Sequence, residues 1–127
     1  MIGYAPGDDV GPLDAWPLTA AASNYVIRRG DPRTFGRIDV GGPGHTTRYG
    51  IWRCTAGAFD CTEQGDELMT ILAGLCRLTD HGTGEVRDLR VGDSLFVRDG
   101  SRVTWDVSDE VTKVFFGCKA GGIDWRY

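Results

Sequence analysis

Glycine spacing constrains this chain more than any other feature. Nineteen glycines fall among its 127 residues. With proline and aspartate they break most of the sequence into segments of about a dozen residues or fewer. Each interior glycine costs a helix about 1 kcal/mol relative to alanine, and the segments between the breaks alternate or are β-rich. Residues 25–27, 48–56, 59–62, 67–72, 75–79, 86–89, 94–97, 103–107 and 111–116 therefore read as strands. Turns are expected at Gly30-Asp31-Pro32, at Gly41 to Gly44, at Ala73-Gly74, at Asp80 to Gly84, at Gly92-Asp93 and at Asp99-Gly100. The pattern predicts an all-β sandwich or barrel with no helix.

Residues 1–24 carry Pro6, Pro12 and Pro17 and read as an irregular arm whose Trp16 and Leu18 dock onto a neighbouring surface. Residues 25–118 form the barrel and 119–127 a tail. A hydrophobic fraction of 41% with 25% charged residues excludes a disordered chain. No apolar run approaches the ~18 residues that a membrane helix needs. The formal charge of −4 argues against nucleic acid as a partner. The opening residues show neither a basic nor an apolar leader segment, so the expected address is cytoplasmic.

Cys54, Cys61, Cys76 and Cys118 include no C-x-x-C pair, which excludes a zinc ribbon or a thioredoxin-type motif. They are expected as reduced, buried thiols. His45 and His81 are the only histidines, so one chain cannot supply a histidine-rich metal site.

Trp52, Gly57-Ala58-Phe59, Gly65-Asp66-Glu67, Gly74, Gly92-Asp93, Trp105 and Lys113 together resemble the small single-domain cupins. The branch is the one related to ureidoglycine aminohydrolase and the ethanolamine-utilisation cupin, and the likeness spans residues 25–118. It implies a single-domain, antiparallel jelly-roll β-barrel, open at one end over a pocket, and a homodimer. Cupins of this kind place a metal on an HxH pair, a later Glu and a distant His. Those positions fall on Cys61 and Glu63, on Glu67, and near Val103. The histidines are missing, so the resemblance implies no conventional His-bound metal. Ureidoglycine aminohydrolase uses a carboxylate, two histidines and a glutamine. This chain lacks that set, and the activity is not carried over.

Strand alternation places Phe59, Cys61 and Glu63 on one face. Glu67, Met69 and Ile71 form a second inward row, with Val103, Trp105 and Val107 opposite. The last strand turns inward either Val111, Lys113 and Phe115 or Val114 and Phe116. Two carboxylates in an apolar mouth raise the pKa of one, which suits a general acid or base. Glu67 is the expected acid or base, Glu63 its modulator and Lys113 an electrostatic partner. Each also has a plainer reading: a solvated loop for Glu63, a strand cap for Glu67, a water-facing lysine for Lys113.

Trp52, Phe59, Met69 and Trp105 are expected to shape a substrate pocket, with Tyr49 and Phe115 as further wall. Arg48 would grip a substrate carboxylate or phosphate, as Arg53 and Arg98 also can. The reading is a small-molecule metabolic enzyme that isomerises, cyclises, hydrates or hydrolyses a small polar metabolite. It needs no cofactor. The alternatives are a non-catalytic binding cupin, or a divalent-metal cupin that uses Cys61, Glu63 and Glu67.

Overall fold

The computed structural model describes residues 1–122; the end of the expected tail, 123–127, lies outside the described residues. Nine strands are present among them: β1 (Asp14–Ala15), β2 (Val26–Gly30), β3 (Thr34–Gly41), β4 (Thr47–Cys54), β5 (Gly57–Thr62), β6 (Asp66–Asp80), β7 (Val86–Arg90), β8 (Ser94–Val97) and β9 (Arg102–Cys118). The one helical element described is a 3-10 turn at Ala21–Ser23. No helix of the described residues is long and apolar enough to cross a membrane.

Two long strands organise everything else. β6 and β9 pair antiparallel from Asp66↔Cys118 to Asp80↔Val103, and both bend midway. Beyond the bend on one side the order is β1-β3-β4-β9-β6-β8; on the other it is β2-β5-β9-β6-β7. The two half-sheets face each other and close a barrel around one apolar core.

The bend corrects one expectation. Residues 67–72 and 75–79 are not two strands at a tight turn but one strand with a bulge. Gly74 has φ +83°, and a Cβ there would stand 2.0 Å from the Glu110 carbonyl oxygen. The register slips on both sides of it. A bulge of this kind adds twist and turns the strand, so Gly74 bends the barrel wall where a hairpin was expected. The segments 103–107 and 111–116 likewise belong to the single strand β9.

β3 was not expected. Its sequence, TFGRIDVG, is rich in charge and glycine, which hides the strand pattern. The arm explains one of those glycines, because a Cβ at Gly36 would lie 2.1 Å from the Trp16 ring. Trp16 packs edge-on against Phe115 at 6.4 Å, and its amide donates to the Thr34 carbonyl at 2.9 Å. The arm therefore lies on its own barrel.

Phe59, Met69, Ile71, Val103, Trp105, Val107, Val111 and Phe115 are buried between the half-sheets, each contributing about 1.5–3 kcal/mol. The parity of β9 is thereby decided in favour of Val111, Lys113 and Phe115 facing inward.

Candidate functional site

One end of the barrel holds a partly open cavity of about 60 Å³, room for a handful of waters or a molecule of a few heavy atoms. β4 supplies Arg48 and Trp52; β5 and the residue just beyond it supply Phe59, Cys61 and Glu63. Glu67 comes from the start of β6, and Trp105, Lys113 and Phe115 come from β9. Leu18 and Tyr25 close the wall.

Lys113 and Glu67 are both buried, and Lys113 Nζ donates to Glu67 Oε2 at 2.6 Å. The ammonium also sits 4.6 Å from the Trp52 ring centre and 4.5 Å from that of Trp105. Trp52 and Trp105 are themselves 5.1 Å apart. An aromatic face attracts a cation through its quadrupole, so two rings and one carboxylate fix the position of this charge.

Glu63 lies two residues beyond Cys61, so the strand pleat turns it to the same side. Trp105 Nε1 donates to Glu63 Oε1 at 3.2 Å. The Cys61 thiol donates to the same oxygen, with Sγ and Oε1 3.7 Å apart. No cation pairs directly with Glu63 in the described structure. Burial pushes its pKa up, and the nearby Glu67 carboxylate pushes it further. Lys113 and the two hydrogen bonds oppose that rise without cancelling it.

The other titrating groups of the wall follow the same physics. Burial, followed by Glu63, raises the Cys61 thiol well above its ordinary value, so it stays protonated and acts as a donor. Burial lifts the Tyr25 phenol to about 12 and lowers the Arg48 guanidinium to about 10. Arg48 remains a cation at neutral pH, with its guanidinium carbon 5.2 Å from the Phe115 ring centre.

Glu63, Glu67, Lys113, Cys61, Arg48, Trp52, Phe59 and Trp105 thus share one cavity wall. Met69 does not join them: it is buried in the core and lines no part of the cavity. Tyr49 points the other way and is 39% exposed on the outer face. Arg53 bonds Thr112 through its Nε at 3.0 Å, and Arg98 is exposed. Leu18 and Tyr25 were not expected in the wall. The spacing of Trp16 and Leu18 in the arm was the available signal for Leu18.

Cys61, Glu63 and Glu67, the side chains of the metal alternative, lie in this wall. Lys113 already occupies Glu67, and the Cys61 thiol holds its proton. Among the described residues no three His, Cys, Asp or Glu side chains are grouped to hold an ion.

Residues 41–115 match the EutQ-like cupin domain family. The chain belongs to this family. Solved structures share the fold of this EutQ-like cupin at low sequence identity. A candidate ethanolamine utilization protein Q of Salmonella typhimurium LT2 is 18% identical over 72% of each chain, with a TM-score of 0.58. The EutQ protein of Clostridium difficile is 17% identical over 75% of this chain and 81% of its own, at 0.60. A cupin-like protein of Thermotoga maritima MSB8 is 11% identical over 90% and 84%, at 0.66. No curated protein matches the chain.

Proposed function

We propose that this EutQ-like cupin is a small-molecule enzyme whose chemistry is proton transfer by Glu63 beside a fixed Lys113–Glu67 ion pair. One observation carries the reading: two carboxylates share one cavity, Glu67 is neutralised by Lys113 at 2.6 Å, and burial raises the pKa of the other. Environments that separate two such groups assign one to charge and the other to proton transfer.

In this scheme Glu63 gives a proton to, or takes one from, a substrate atom in the cavity. The Trp105 N–H orients its carboxyl group. Lys113 keeps N–H donors beyond the one spent on Glu67 and faces negative charge developing on the substrate. Glu67 and the paired indoles hold that ammonium in place. Arg48 adds a second buried cation in the wall. The small cavity and its mixed wall suit a polar metabolite of few heavy atoms undergoing isomerisation, cyclisation, hydration or hydrolysis. The scheme requires no resident metal.

The test incubates a panel of small keto acids, hydroxy acids, amides and lactones with the protein in D2O, followed by NMR. The wild type is expected to convert or deuterate at least one compound, and Glu63→Gln to lose about 10²–10⁴-fold of that rate. Retention of the full rate by Glu63→Gln would overturn the reading. Binding of a compound without conversion or exchange would replace it with the non-catalytic alternative.

A further inference from the structure

Along one seam of the barrel the two half-sheets meet without pairing. β8 ends one of them and β7 the other, both against β6, and among the described residues neither pairs with a further strand. A second cavity, of about 200 Å³, lies between these two edges. It shares no lining residue with the first.

Its floor is apolar. Leu78 of β6, Val97 of β8 and Val103 of β9 are buried, and Leu95 of β8 packs partly buried against the same core. The strand pleat adds charge to this inner face. Asp80 lies opposite Val103 and Arg87 opposite Leu78, and residues directly opposite one another point to the same side.

Three of the four charged side chains in this wall already have partners. Arg87 bonds Glu85 at 2.8 Å, and Asp80 accepts the Gly82 amide at 2.8 Å and the Thr83 amide at 3.3 Å. Arg98 is the fourth, and its side chain has no ion pair or hydrogen bond among the described residues. It stands on the turn that also presents Ser101, closed by the Ser101 amide on the Arg98 carbonyl at 3.2 Å. Neighbouring backbone fixes that turn. The Gly100 amide donates to the Glu63 carbonyl and the Glu63 amide to the Ser101 carbonyl, both at 2.9 Å, and Asp99 accepts the Gly65 amide at 2.8 Å. A turn set before any ligand arrives lowers the ordering cost of binding.

From this wall we infer that the second cavity binds a small monocarboxylate. Its ring or branched chain lies on the apolar floor and its carboxylate meets Arg98 and Ser101. A carboxylate matches the guanidinium fork and accepts a hydroxyl proton as well. The size agrees, since a cavity of about 150 Å³ holds a benzene ring. The inference is independent of the chemistry of the first cavity.

Amide-resolved NMR titration of the full chain with benzoate, phenylacetate and isovalerate tests it. At least one of these acids is expected to give saturable shifts at the amides of Leu78, Leu95, Val97 and Ser101. The matching amide, which carries no charge, should bind about tenfold more weakly, and Arg98→Gln should weaken the acid by about the same factor. Leu95→Asn, with its fold verified by circular dichroism, should weaken acid and amide alike. Arg90→Gln removes another exposed arginine outside this cavity and should leave the affinity unchanged. No saturable shift with any of the acids would overturn the inference, as would shifts confined to the first cavity. An amide that binds as tightly as its acid, or an Arg98→Gln variant with full affinity, would overturn it too. Tighter binding of phenethylammonium than of any acid would assign the charge to Asp80 and overturn the choice of ligand.

Discussion

Asp60 and Glu63 stand three residues apart, yet the pleat sends them to opposite faces of one wall. Asp60, at the outer face, is 1% exposed. It accepts from Arg28 Nε at 2.8 Å and from Thr104 Oγ1 at 2.6 Å, and His81 Nε2 stands 4.0 Å away. The Arg28 hydrogen bond leads the effects that hold its pKa below the ordinary carboxylate value. Glu63, at the inner face, receives an indole N–H and a thiol but has no directly paired cation, and its pKa is raised. Burial leads the rise at Glu63 and is outweighed at Asp60. At Asp60 the directly bonded Arg28 overcomes burial, while at Glu63 no charged donor does so, which separates a structural anion from a proton carrier.

The largest break in this contrast comes from Lys113. Lys113→Ala strands the buried Glu67 without its ion-pair partner and is expected to cost about 3–5 kcal/mol, measured by urea unfolding. It also removes a positive charge that holds Glu63 down, so the Glu63 pKa should climb further. A double variant, Glu67→Leu with Lys113→Met, should recover most of the stability, because removing both charges removes the desolvation cost as well.

Asp60→Asn tests the opposite face and should cost about 1.5–3 kcal/mol at neutral pH, the range for hydrogen bonds to a charged group. The folded pKa of Asp60 is lowered. Its stabilisation is therefore complete above the ordinary 3.8 and is lost as pH falls through the folded value. The gap between wild type and Asp60→Asn in unfolding experiments should shrink across that acid range.

Glu63→Gln should give a smaller effect of the other sign. The folded pKa of Glu63 is raised, so the folded state binds the proton where the unfolded chain has released it. Wild-type stability then falls as pH rises from the ordinary 4.5 through the folded value and levels off above it. The variant lacks that fall and should be the more stable of the two on the neutral side, seen as a higher Tm.

The inner face was legible in the sequence because period two needs no tertiary information. Once Phe59 faces inward, Cys61 and Glu63 follow, and the row of Trp105 is fixed in the same way. The partner of Glu67 was less legible. Lys113 stands 46 residues away, and β9 offered two apolar faces until its register with β6 decided between them. Gly74 shows a second limit. An Ala-Gly pair is a turn signal by local chemistry, and only the Glu110 carbonyl opposite it, a non-local neighbour, makes it a bulge. Asp60 drew no attention in the sequence at all, because Arg28, Thr104 and His81 come from three other segments.

Residue-resolved carbon NMR titration of the side-chain carboxyls tests the central claim most directly. The account predicts that Glu63 titrates above the exposed glutamates, while Asp60 titrates below the exposed aspartates in the same spectra. A Glu63 carboxyl that titrated with the exposed glutamates, or below them, would contradict it and leave the cavity without its proton carrier.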